Sequence, residues 1–234
     1  MNLIQLFKNN QSAKREFRIV NEGREATIYL YDIIGEDWYG GVSAKDFVPK
    51  LAALDVDVIH LRINSPGGDV FDARAMAMAI KQHPAKVISH IDGQAVSAAT
   101  YVALAGDEVE IADGGFFMIH NAWTVQMGNA ADFRAQAELL DKVDASISAD
   151  YERKTGKSAA DVLAMMAATT WMTSAEALAE GFVDRVAEGK TATSNHWNLA
   201  AYGNAPAAMI EPPEPTVDRE ALERRLSLLE KIAP

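Results

Sequence analysis

The sequence predicts an α/β fold organised around a largely parallel sheet, and three observations lead to it. Short β-rich runs alternate with short helical patterns through the first half of the chain. Gly-Gly turns punctuate two of the places where a strand ends. After Asn129 the pattern changes to one long amphipathic helix. Alternating strands and helices imply βαβ crossovers, and these pair consecutive strands in parallel.

The elements follow in order. Ala26 to Ile34 (ATIYLYDII) reads as a strand, and a turn over Gly35 to Gly41 containing Trp38 follows it. Ser43 is an N-cap candidate for an amphipathic helix through Leu54. A second strand, Val56 to Ile63, runs into the turn Asn64-Ser65-Pro66-Gly67-Gly68. The next helix spans Val70 to Gln82 and must stop before Pro84. Lys86 to Ile91 is the third strand, and a helix rich in small residues begins near Ser97. Glu108 to Ile111 and Phe116 to Ile119 are strands bracketing Gly114-Gly115.

The long helix covers about Ala130 to Lys154, with Phe133, Ala137, Leu140, Val143 and Ile147 as one stripe expected to be buried. A helix of about 25 residues overhangs a domain of this size, so packing against another subunit is expected. Gly156 ends it, and short helices lead to a last strand, Phe182 to Val186. Beyond Ala187 the composition turns to Ala, Asn, Thr and Pro. Residues 190–215 read as a spacer, ending in Pro212-Pro213-Glu214-Pro215, and Asp218 to Ile232 as a short charged helix. The expected organisation is an N-terminal segment 1–25, a main domain 26–188 with its long helix within about 123–154, and a linker plus short helix over 189–234.

Bulk properties remove several function classes. An apolar fraction of 49% in 234 residues supports a sizeable core without staples. The formal charge of −11 opposes a phosphate backbone as partner, so no nucleic acid is expected. No apolar run approaches the ~20 residues of a membrane span. The N-terminal patch of Leu3, Ile4, Leu6 and Phe7 lacks a secretory pattern. Zero cysteines exclude a thiolate nucleophile and cysteine-ligated zinc, and suit a reducing cytoplasm. The histidines lack ligand spacing and the Gly-Gly turns lack a phosphate-binding signature, so neither metal nor cofactor is expected.

Two segments carry a chemical signal. In Asn64 to Asp69 a strand ends in two glycines and a helix starts at once, which frees backbone N–H groups to meet an oxyanion. The same pattern is also common structural punctuation. In Gly93-Gln94-Ala95-Val96-Ser97-Ala98-Ala99 a serine stands at a strand-to-helix corner, where its hydroxyl is exposed and the Ala98 N–H can point at the same oxygen. Read alone, Ser97 could equally be an N-cap. Of the five histidines, His60 and His90 lie in strands, His83 precedes Pro84 and His196 falls in the tail. His120 stands at the exit of the strand Phe116 to Ile119, where parallel sheets gather ligand-binding side chains.

Taken together, INSPGGDV (Ile63 to Val70), GQAVSAAT (Gly93 to Thr100), FFMIHNAW (Phe116 to Trp123) and WMTSAEALAEGFVDRV (Trp171 to Val186) resemble the Clp protease proteolytic subunit family. Within it the chain is most similar to the ClpP-related head maturation proteases of tailed phages and prophages, through Trp171 and the added tail. The resemblance implies a ClpP/crotonase-like ββα spiral with a protruding handle helix. It implies a serine endopeptidase with Ser97 as nucleophile, His120 as base, and the N–H groups of Gly68 and Ala98 as oxyanion hole. It also implies an extended peptide lying beside Asp69 to Phe71 and Ala122 to Met127, with Asp69, Val70, Ala122 and Trp123 touching substrate.

The family's third catalytic residue, an acid, aligns with Thr169, with Thr170 beside it. Threonine can orient an imidazole but carries no charge to stabilise the imidazolium. Three solutions remain open: a slow enzyme, recruitment of Asp144 or Asp141, or a Ser–His dyad. Implied partners are protein or peptide substrates, capsid or scaffold protein among them, and further copies of the chain in heptameric rings stacked in pairs. Met1 to Asn21 does not match the family's axial loop, so no ATPase partner is carried over. Two other functions stay in view: an oligomeric scaffold without activity, and a crotonase-like acyl-CoA enzyme working through backbone N–H groups and a carboxylate.

Overall fold

The computed structural model describes residues 3–36, 40–191 and 197–210. The expected C-terminal helix, the prolines at 212, 213 and 215, Trp38 and His196 lie outside the described residues.

Among the described residues eight strands form the sheet: β1 Glu16–Glu22, β2 Glu25–Tyr31, β3 Val58–Ser65, β4 Lys86–Val96, β5 Glu108–Asp113, β6 Phe116–Ile119, β7 Thr170–Thr173 and β8 Arg185–Thr191. Their order is β1-β2-β3-β4-β5-β8, parallel throughout except for the β1–β2 hairpin. The sheet therefore takes in Glu16 to Glu22, which lies within the segment 1–25. Helices α2 (Ala44–Ala52) and α3 (Val70–Gln82) supply the crossovers. They bury Phe47, Leu51, Met76 and Ile80 against Ile28, Leu30, Ile59, Leu61 and Ile63 of the sheet. Ser43 caps α2 by accepting from the Asp46 N–H, as its position suggests.

β4 is longer than the sequence suggests, because it continues through Asp92 to Val96, and that extension shapes the site. Its first half pairs with β5, from Ile88↔Glu108 to Ile91↔Ile111. Its second half pairs with β6, Gln94↔Phe116 to Val96↔Met118. The Gly114-Gly115 turn therefore joins two strands that lie end to end along β4 rather than facing each other. A Cβ on Gly115 would sit 2.8 Å from Ile111 Cγ1 and 2.9 Å from the Ala112 carbonyl, so this fold-back needs glycine. β7 was not evident from four residues, Thr170–Thr173. It runs antiparallel to β6 with Ile119 opposite Thr170. The last strand begins at Arg185, three residues later than expected, because Phe182 and Val183 pack into the core before the chain reaches β5.

Helix α5 spans Ala130–Thr155, closed by an Asn129–Asp132 capping box and by Gly156 in the left-handed region at φ 71°. Its apolar stripe is buried only at the C-terminal end. Ile147 is covered, Val143 and Leu140 are partly covered, and Ala137 and Phe133 are exposed, Phe133 by 52%. The expectation of one buried stripe fails in the isolated chain, since a 26-residue helix is about 39 Å long and overhangs the sheet.

The tail also departs from the expected spacer. Trp197, Leu199, Ala201 and Tyr202 are buried together with Leu6 of helix α1 (Leu3–Asn9), Ile33, Val96 and Met118. A 3₁₀ turn over Ala207–Met209 follows. The aromatic anchors supply enough apolar area to hold the segment down, although the residues around them are Ala, Asn and Thr.

Phe117, fully buried on β6, packs its ring 5.2 Å from that of Phe182. Phe117→Ala is expected to lower unfolding free energy by about 3–5 kcal/mol, a cavity-forming loss, in denaturant titrations.

Candidate active site

Three strand ends meet at one point. β4 delivers Ser97, β6 delivers His120, and Thr169 enters β7 opposite β6. Register fixes the meeting: Val96 pairs with Met118, and the Ser97 N–H donates to the Met118 carbonyl at 2.9 Å. Ser97 Oγ and His120 Nε2 are 2.7 Å apart. With Nε2 accepting from the hydroxyl, the imidazole proton belongs on Nδ1.

Ser97 adopts φ 55° and ψ −125°, a region that a residue with a side chain seldom enters. It flanks helix α4 (Ala98–Ala103) but makes no side-chain cap, because its hydroxyl is turned to His120. The N-cap alternative is thereby set aside. The corner is held from below: Thr100 Oγ1 donates to the Ser97 carbonyl at 2.6 Å and also meets the buried Tyr151 hydroxyl at 2.6 Å. Gly67 closes on the corner from the other side, where a Cβ would stand 2.9 Å from Ser97 Cβ. Strain at a single residue persists when its surroundings over-determine it in this way.

Gly68 forms a parallel bridge with Ile34, in which Ile34 N–H donates to the Gly67 carbonyl and Asp69 N–H to the Ile34 carbonyl. That pattern turns the Gly68 N–H away from Ile34, and no described residue accepts from it. A Cβ on Gly68 would collide with the Ile34 carbonyl oxygen, and φ is 148°, so glycine is required. Ala98 is the first residue of α4, and its N–H has no acceptor within the helix. Both residues line the same cleft as Ser97 and His120.

This cleft has a volume of about 450 Å³ and is mostly apolar, with walls from α5 (Leu139, Leu140, Val143) and from the segment after His120. Asp69, Val70, Ala122 and Trp123 line it. Of the segment Asp69 to Phe71, Asp69 is extended, at φ −70° and ψ 125°. Val70 and Phe71 form the first turn of α3, and Asp69 caps that turn by accepting from the Phe71 and Asp72 N–H groups, both at 2.8 Å.

His120 is shielded from solvent enough that its pKa falls to about 4, burial penalising the imidazolium. No described residue accepts a hydrogen bond from Nδ1. Thr169 stands at φ 52°, donates its N–H to the Met166 carbonyl at 3.0 Å, and makes no side-chain hydrogen bond among the described residues. Asp144 is not recruited either. Its buried carboxylate accepts from the Ala122 N–H at 2.6 Å and so holds the chain just after His120, while burial raises its pKa. Asp141 lies exposed on α5.

What the sequence did not suggest is Tyr202. Its ring meets that of His120 edge-on at 5.4 Å between centroids, and its hydroxyl donates to the Pro66 carbonyl at 2.6 Å. The available signal was two aromatic residues, Trp197 and Tyr202, in a stretch otherwise short of them. Among the described residues no group of His, Cys, Asp and Glu is arranged to hold a metal ion, and no helix is long and apolar enough to cross a membrane.

Comparison with known proteins agrees with the geometry. The family model described as Clp protease matches residues 13–190. The chain is 30% identical over 167 residues to ATP-dependent Clp protease proteolytic subunit 1 of Leifsonia xyli, covering 69% of this chain and 85% of that protein. It is 37% identical over 106 residues to Membrane protein NfeD1b of Bacillus subtilis, covering 45% of this chain and 24% of the relative. Among solved structures, a point mutant of ClpP1 from Listeria monocytogenes shares the fold. The TM-score is 0.60 and the identity 22%, over 70% of this chain and 92% of that one. With three quarters of its length matched by the family model, a sheet in the ClpP arrangement and a Ser97–His120 pair at a strand-end crevice, this chain belongs to the Clp protease family.

Proposed function

We propose that this protein is a serine endopeptidase in which Ser97 attacks the peptide carbonyl and His120 takes the hydroxyl proton. The single observation that carries this reading is the 2.7 Å contact between Ser97 Oγ and His120 Nε2 on a strained corner beside two free amides. His120 Nε2 accepts the proton as the Oγ–C bond forms, then returns it to the leaving amine. The Gly68 and Ala98 N–H groups stabilise the oxyanion, and water repeats the sequence on the acyl-enzyme. The pair works as a dyad. Loss of a triad acid can cost up to about 10⁴ in turnover, so a slow enzyme is expected.

Substrates are proteins threaded along the cleft beside Ala122 and Trp123. A prohead's capsid or scaffold protein is the substrate class we favour, on the resemblance carried by Trp171 and the tail. Self-association is supported by the exposed Phe133 and Leu139 of α5 and by Val125 and Met127 just before it, large apolar residues that solvent exposure disfavours, and the ring form we favour rests on the family resemblance.

Purified wild type is expected to degrade unfolded casein slowly, and Ser97→Ala and His120→Ala not at all. Equal degradation by Ser97→Ala would overturn the assignment. The acid limb of kcat/KM is expected near pH 4, since His120 is base-competent once neutral and its pKa lies at about 4. A limb near pH 6.5 would place His120 in water instead. Thr169→Ala is expected to change turnover by less than about threefold, because its hydroxyl makes no contact with His120. Thr169→Gly should raise stability by about 1 kcal/mol in thermal melts, because a β-branched residue at φ 52° is strained.

A further inference from the structure

Tyr202 lies beyond the segment that the family model matches, yet it is 5% exposed and seated against the reacting pair. Its environment is built from three sides. The phenol donates to the Pro66 carbonyl, immediately before the Gly67-Gly68 turn, and Trp197 Nε1 donates to the Asn64 carbonyl two residues earlier. The ring stands edge-on to His120 on one side and to Trp171 at 6.2 Å on another.

The residues after Tyr202 close the assembly. Trp171 Nε1 donates to the Gly203 carbonyl at 3.0 Å, and Asn204 Nδ2 donates to the Ala168 carbonyl at 3.0 Å. These two bonds straddle Thr169, the position that carries no acid. Thus one short piece of tail grips the oxyanion turn, the imidazole ring and the segment from which a third catalytic residue would come. Neither Thr169 nor Asp144 hydrogen-bonds the imidazole, so beyond the bond to Ser97 its orientation depends on packing, and the Tyr202 ring packs edge-on with it.

We propose that Tyr202 is a positioning residue that replaces the orienting role of a triad acid: its ring holds the His120 imidazole toward Ser97, and its hydroxyl fixes the turn bearing the Gly68 N–H. An edge-to-face aromatic contact is geometrically selective, because the ring edge seeks the partner's π face. It orients without supplying charge. The substitution therefore restores alignment but not stabilisation of the imidazolium. This inference rests on the peptidase reading above for its consequence, though not for its geometry.

The test uses the full-length protein with Tyr202→Leu and Tyr202→Phe, compared with wild type in thermal melts and by light scattering so that folding and assembly are controlled. Reaction with a fluorophosphonate is expected to slow by about 10²-fold in Tyr202→Leu, the lower range of what a positioned base contributes. For a peptide substrate, kcat should fall while KM holds. Tyr202→Phe keeps the ring and should recover most of that loss. Wild-type reactivity in folded Tyr202→Leu overturns the proposal, and so does a change confined to KM.

The ring-nitrogen NMR shifts of His120 decide the matter independently of activity. One fixed tautomer in wild type and Tyr202→Phe, but averaged tautomers in Tyr202→Leu, supports it. Identical shifts in all three overturn it. If wild type neither labels nor cleaves, the peptidase reading fails by itself and the NMR comparison still judges Tyr202.

Discussion

Everything at the site depends on how β4 is shared between β5 and β6. A strand of eleven residues pairs with one neighbour along its first half and with another along its second. The register Val96↔Met118 then places the residues after each strand side by side. The Ser97 N–H bond to the Met118 carbonyl fixes the corner, and the hydroxyl reaches His120 Nε2 without adjustment of either backbone. A slip of one residue would turn every side chain of β6 to the opposite face, removing Phe117 from the core and His120 from the serine together. Fold stability and the geometry of the pair are thus one constraint, and buried Phe117, Met118 and Ile119 enforce it.

The electrostatics follow from the same burial. An imidazole shielded from water is held neutral, the form that can accept a proton, at the cost of destabilising the imidazolium that the proposed mechanism requires. A paired carboxylate normally offsets that cost, and here the candidate carboxylate, Asp144, is committed to the Ala122 amide. What remains is preorganisation: a strained serine supported by Thr100 and Tyr151, a glycine pair pressed against it, and an aromatic ring on the histidine. In the proposed mechanism, alignment of this kind speeds formation of the first covalent bond, whereas the missing charge limits each proton transfer.

Much of this was legible in the residues. Helix α3 falls on Val70–Gln82 as read, because Asp69 and Pro84 punctuate it, and Ser43 and Asn129 mark the starts of their helices. Ser97 and His120 were legible because a small-residue corner and a strand exit are local patterns. The extension of β4 was not, since Asp92, Gly93 and Gln94 have low strand propensity and lie at an irregularity in the β3 pairing, beyond which Gln94 picks up β6 at Phe116. β7 is too short for periodicity to register. The exposed half of α5 departs from its periodicity for a different reason: its stripe is apolar, but the described residues do not supply a surface that covers it. The tail reversed its expected character because a few aromatic side chains outweigh a spacer-like average composition. Tyr202 in particular could not be found from a pattern, since its contacts lie far away along the sequence at Pro66, His120 and Trp171.

The most direct test of the account is where a fluorophosphonate attaches. Intact-mass measurement followed by peptide mapping of the labelled wild type is predicted to give one adduct per chain, on the peptide containing Ser97, slowed in His120→Ala. An adduct on another serine, or labelling as fast without His120 as with it, would contradict the claim that this pair forms the reactive centre.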